Sequence, residues 1–160
     1  MVQLNSSQIE EYLNRSYTAV DGLWFMKVEK ELGFDKTLEI DDEVWKVLPK
    51  IQARLMKSFM KMESGLDALF QCFTTKLTLD RFKYKSEKKG GGFTIVIERC
   101  PWYDLMVKSG RKDLAGKVGT RICNTEYAVW ATEFDINMNF EIQDQICNGS
   151  TSCILKFQSV

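Results

Sequence analysis

The chain contains no histidine. That absence excludes Ser-His-Asp and Cys-His catalysis, histidine-ligated haem and every zinc site that needs imidazole. An excess of one charge is missing too. The 22 basic and 22 acidic residues cancel, so the totals point to neither nucleic acid nor a membrane as partner. No apolar run reaches the about 18 residues of a membrane span. The stretch from Met1 to Glu11 is polar and has no signal-peptide core. A cytoplasmic protein is the expectation, and there thiols stay mostly reduced. Any chemistry must run on thiolate, carboxylate, amine, hydroxyl or a bound metal.

What is present suits one globular domain. The chain has 160 residues, 44% of them hydrophobic, enough for a core and too many for disorder. Ser7-Gln8-Ile9-Glu10 reads as a capping box, and Ile9, Leu13, Tyr17, Val20, Trp24 and Val28 follow at helical spacing up to a stop at Gly33. Asp41 or Asp42 caps a second helix through Val44, Trp45, Leu48, Ile51, Leu55 and Phe59, with Pro49 kinking it or marking its true start. A third helix runs from Ser64 through Leu77. From Phe82 the pattern alternates, turns at Gly90-Gly91-Gly92 and resumes through Ile97, which predicts a β-hairpin. Pro101 opens a short helix ended by Gly110. A longer helix carries Leu114 to Phe134. Strands over Ile136 to Ile142 and from Cys153 to Phe157 close the chain. The expected fold is α+β: an antiparallel sheet of two β-hairpins packed against about five helices, in the order ααα-ββ-αα-ββ. Residues 1–80 form the helical part of this single domain and 81–160 the part rich in strands and cysteines.

Four of the five cysteines fall in the last 61 residues. Cys147 and Cys153 flank an Asn148-Gly149 turn, which brings thiols close enough for a soft metal or a disulfide. Cys100 ends the second strand away from the glycine turn, and Cys123 lies on the preceding long helix. Hairpins set side by side would gather Cys100, Cys123, Cys147 and Cys153 around one ion, as zinc or an iron–sulfur cluster requires. No C-x-x-C pair supports this, and free cysteines also serve as small core hydrophobes. Cys72, among Leu69, Phe70 and Phe73, reads as core. Cys100 has a separate claim as a nucleophile, because a helix start favours thiolate and Arg99 is adjacent.

The segments Cys123-Asn124-Thr125-Glu126-Tyr127, Asp144-Gln145-Ile146-Cys147-Asn148-Gly149 and Cys153-Ile154-Leu155-Lys156-Phe157 resemble the four-vinyl-reductase-type small-molecule-binding domain. The resemblance implies zinc ligands at Cys123, Asp144, Cys147 and Cys153. Asp144 stands where glutamate is expected, and Glu141 is a second acidic candidate. The whole chain, including Asp21-Gly22-Leu23-Trp24-Phe25, Val44-Trp45 and Arg99-Cys100-Pro101-Trp102, is more similar to an uncharacterised prokaryotic family. That family is grouped loosely with the L-2-amino-thiazoline-4-carboxylate hydrolase-like proteins, and the resemblance offers Cys100 as a ligand in place of Asp144, which would make the site four thiolates. It also implies a homodimer, for which the apolar helices 1 and 2 offer a surface.

Aromatic residues make up 12% of the chain, with four tryptophans. Core packing accounts for Trp24, Trp45, Trp102 and Trp130. A sharper reading places a small-molecule pocket between helices and sheet, lined by Tyr17, Asp21, Trp24, Tyr127 and Trp130. The functional expectation is a small-molecule-binding module supported by a cysteine-rich zinc site (iron or an iron–sulfur cluster as alternatives). A metal-assisted hydrolase of a small cyclic or amide-like substrate, or a protein cycling Cys147 and Cys153 between dithiol and disulfide, are the alternatives.

Overall fold

A computed structural model describes residues 3–159; Met1, Val2 and Val160 lie outside the described residues. The chain divides into two compact units, one up to Asp41 and one from Asp42 onwards.

The first unit holds α1, Ser6–Leu32. Its capping box lies earlier than expected. Asn5 is the cap, its side-chain oxygen accepting from the Gln8 N–H at 2.9 Å while the Gln8 side chain accepts from the Asn5 N–H at 2.9 Å. Ser7 is already helical, so the outermost side chain able to accept performs the capping. Gly33 ends the helix as expected, with φ +81° and its N–H bonded to the Glu29 carbonyl at 2.8 Å. Next comes α2, Phe34–Trp45, whose last four residues belong to the second unit. Phe25 and Phe34 meet with ring centroids 5.9 Å apart.

The second unit contains α3 (Leu48–Met60), α4 (Leu66–Leu79), β1 (Lys83–Lys89), β2 (Gly92–Arg99), α5 (Pro101–Lys108), α6 (Lys112–Phe134), β3 (Asn139–Asp144), a 3-10 turn (Ile146–Asn148) and β4 (Cys153–Gln158). The expected α+β order holds, with one helix divided. The segment read as a kinked second helix is α2 followed by α3, and Pro49 sits in the first turn of α3, where its missing N–H costs nothing. Asp41 and Asp42 lie buried within α2 instead of capping a helix.

All four strands pair antiparallel in the order β1-β2-β4-β3, so the two hairpins join through β2 and β4. The first hairpin turns at Gly90 and Gly91, both at positive φ (57° and 75°), as a tight hairpin turn demands. β3 begins at Asn139, three residues later than expected. Phe93, Ile95, Ile97, Leu155 and Phe157 share a buried core with Leu69, Phe73 and Leu77 of α4 and Tyr127, Trp130 and Phe134 of α6. Phe73 is its hub, within 5.2–5.6 Å of the Tyr127, Trp130 and Phe157 rings. Cys72 is fully buried there, as expected.

Candidate functional site

The cysteines converge at one end of the sheet. Cys100 is the N-terminal cap of α5, Cys123 lies in mid-α6, Cys147 is in the 3-10 turn, and Cys153 opens β4 opposite Ile97 of β2. Two glycines of α6 allow the 3-10 turn to approach. A Cβ on Gly119 would lie 2.5 Å from Cys147 Sγ, and one on Gly116 would lie 2.7 Å from Asn148 Oδ1. Side-chain amides fasten the turn. Gln145 Nε2 donates to the Gly119 carbonyl at 3.2 Å, and Asn148 Nδ2 donates to Thr120 Oγ1 at 2.9 Å and to Gln145 Oε1 at 3.0 Å.

Burial dominates the electrostatics. It pushes the Cys100 thiol up to about 12, against the pull of the Tyr103 and Trp102 backbone N–H groups and with a further push from Cys153 and Cys147. Cys123 is raised well above the ordinary thiol range, first by burial and then by Cys100, Glu126, Cys147 and Cys153. Cys147 and Cys153 are raised too, again chiefly by burial. Desolvation therefore outweighs the helix-start effect expected to activate Cys100. Arg99 gives no help, since its Nε is paired with Asp104 Oδ2 at 2.6 Å.

The expectation of a cysteine-rich metal site is overturned. Among the described residues, no three Cys, Asp, Glu or His side chains form a group able to hold a metal ion. The thiols share one end of the sheet but serve other partners. Cys100, Cys123 and Cys153 pack against the apolar core, Cys147 presses on Gly119, and Cys153 Sγ accepts from the Ile146 N–H at 3.3 Å. Asp144 and Glu141 are exposed, and Asp144 Oδ1 accepts from the Ser150 hydroxyl at 3.4 Å. The zinc-supported binding module falls with the site, as does the metal-assisted hydrolase. Cys147 and Cys153, the pair of the dithiol alternative, are both free thiols.

A shallow cleft of about 500 Å³ opens beside the turn, lined by Tyr103, Lys112, Asp113, Gly116, Cys147 and Ser150 among others. None of the aromatic residues expected to line a pocket is among its walls. Tyr127 and Trp130 are core side chains of the second unit. In the first unit Tyr17 and Asp21 are half-buried and Trp24 is exposed. Burial raises the Asp21 carboxyl above its usual range.

A buried charge cluster was not anticipated. Lys76 of α4 lies 2.6 Å from Glu126 of α6 and 2.8 Å from Asp80. Burial alone would lower the Lys76 pKa, but the two carboxylates raise it well above the lysine range. Glu126, sharing one ammonium with Asp80, is raised by burial. The sequence does carry a signal, since Glu126 interrupts the apolar i, i+4 row from Ile122 to Trp130.

One face of α1 is apolar and open. No residue of this 27-residue helix is buried, and Ile9, Tyr12, Leu13, Val20, Leu23 and Trp24 are each 42% to 68% exposed. At 100° per residue these side chains fall on one side of the helix, with Ser16 between them and Ala19 at the edge.

Residues 4–157 match the model of a family described as a family of unknown function, DUF6125. The chain belongs to that family. No curated protein and no solved structure matches it. The family description assigns no activity.

Proposed function

We propose that this domain is a self-associating module, two copies pairing antiparallel through the open face of α1. The observation that carries the reading is a helix of 27 residues with six large exposed apolar side chains on one face and none buried. Helices in proteins owe most of their stability to burial of an apolar face, and contiguous exposed apolar surface marks association sites.

The sequence of that face fits a second copy of itself. Ile9, Leu13, Ser16, Val20, Leu23 and Lys27 are separated by four, three, four, three and four residues, the spacing of a coiled-coil seam. In an antiparallel pair this seam is self-complementary. Leu13 meets Leu23, the small Ser16 meets Val20, and Ile9 meets the aliphatic stem of Lys27. Each contact occurs twice about a two-fold axis, as a closed dimer requires. A helix of this length is about 40 Å long, which gives the seam enough extent to act as an interface. The absence of acid or base from the middle of the seam leaves no charge to desolvate.

The test is the solution mass by sedimentation equilibrium, for the wild-type chain and for Leu13→Asp/Leu23→Asp. A wild-type dimer that becomes a monomer, with the second unit still folded by near-UV circular dichroism, supports the pairing. A wild-type monomer at micromolar concentration, or a dimer untouched by the double substitution, would overturn it.

A further inference from the structure

A second helix is asymmetric in a different way. From Val44 to Met62 the chain has no aspartate or glutamate, yet it carries Lys46, Lys50, Arg54, Lys57 and Lys61. The balanced charge of the whole chain conceals this basic run. Most of it is α3, whose inner face, with Pro49 and Ala53 buried and Met56 and Met60 against the core, anchors it to the second unit. Its outer face presents Val47, Ile51, Leu55 and Phe59 in i, i+4 steps, 50% to 73% exposed. Lys50, Arg54, Lys57 and Lys61 form a parallel row one step round the helix.

Part of that row is anchored. Arg54 is bidentate to Glu133 at 2.8 and 3.0 Å, and Lys57 donates to the Glu133 carbonyl at 2.7 Å and lies 5.0 Å from the Phe134 ring centroid. Among the described residues Lys50 and Lys61 hold no ion pair.

We infer that α3 is a docking ridge for the surface of an anionic lipid bilayer, on which the domain lies peripherally. Three features favour this occupant. α3 itself carries no acid, and beside the Glu133-bound Arg54 its Lys50 and Lys61 remain to complement anionic headgroups. Large apolar side chains stand along a convex ridge, with Phe59 at 73% exposure the most prominent, as penetration into an acyl boundary requires. The basic row is long-stemmed and can keep its charges at headgroup level while the neighbouring apolar row sinks. No helix among the described residues is long and apolar enough to cross a membrane, so the contact is with the surface.

The experiment is co-sedimentation of the full chain with vesicles of phosphatidylcholine, alone or mixed with phosphatidylserine. Expected are binding only to the mixed vesicles, weakening with added salt, and about tenfold or greater loss in Lys50→Ala/Lys61→Ala. Leu55→Ser/Phe59→Ser, at exposed positions, is expected to abolish partition while leaving the melting curve unchanged. No binding to the mixed vesicles, or equal binding by both variants, would overturn the inference. So would a change in solution mass in the α3 variants without loss of vesicle binding, because it would make the ridge a contact between proteins. The α1 seam is intact in both variants, so this result and that of the α1 substitutions are read separately.

Discussion

Glu126 Oε1 lies 2.6 Å from Lys76 Nζ, and the same ammonium reaches Asp80 Oδ2 at 2.8 Å. One cation thus serves two carboxylates, Glu126 buried and Asp80 half-buried, joining α4 to α6 beneath the Tyr127 ring, whose centroid is 5.9 Å from Nζ. Such a cluster is dangerous to break and cheap to replace whole, because the cost lies in the charge left behind. Lys76→Met is expected to destabilise the second unit by about 3–5 kcal/mol. Adding Glu126→Gln should recover part of that loss. Urea unfolding of both variants measures it, and a single variant within about 1 kcal/mol of wild type would refute the coupling.

The approach of the 3-10 turn to α6 sets a second expectation. Gly119→Ala places a Cβ 2.5 Å from Cys147 Sγ and should cost about 1–3 kcal/mol by overpacking. Removing the sulfur with Cys147→Ala should relieve much of it. Thermal unfolding of both single variants and the double variant gives the coupling energy. Strict additivity would mean that the turn yields elsewhere.

Cys100 predicts an alkaline limb. Its folded pKa of about 12 stands above the ordinary 9.0. The unfolded chain therefore loses this proton first, and the contribution is complete below about pH 9 and erodes as pH rises towards 12. Cys100→Ala should flatten the fall in stability over that window. Equal slopes for the two proteins would show that the thiol is solvated in the folded state.

Asp42 has the opposite sign. Burial raises its carboxyl, but the Thr125 hydroxyl and Arg121 outweigh this and hold it below the usual 3.8, with Arg121 Nε 3.1 Å from Oδ2. The stability it contributes is present above that pH and is lost as pH falls through the depressed value. Asp42→Asn should therefore lower stability at neutral pH and narrow its gap from wild type in acid. Denaturant midpoints across the acid range measure that gap, and a gap independent of pH would count against the assignment.

Periodicity revealed most of the architecture. Apolar spacing marked the helices, alternation marked the β1–β2 hairpin, and the Asn148-Gly149 turn placed Cys147 near Cys153. Side-chain direction was harder to read. Trp24 and Trp130 both occupy apolar helical rows, yet one is exposed and the other is at the centre of the core. Rotation of a helix about its axis depends on tertiary packing, which spacing alone does not encode. The same limit explains the thiols. Their convergence followed from the topology, whereas their engagement with core, backbone and glycine followed from how closely the 3-10 turn approaches Gly116 and Gly119. Charge totals hid the acid-free run through α3, because excess acid elsewhere offsets it.

The strand order leaves β1 and β3 with unpaired edges, and such edges invite neighbouring chains to add strands. Here both are guarded. β1 carries Lys83, Lys85, Lys88 and Lys89, so a second β1 would approach against like charge. β3 is only six residues long, is irregular between Ile142 and Asp144, and bears Glu141 and Asp144. The protein has closed its sheet to fibre-like growth, and any orderly assembly it makes is left to its helices.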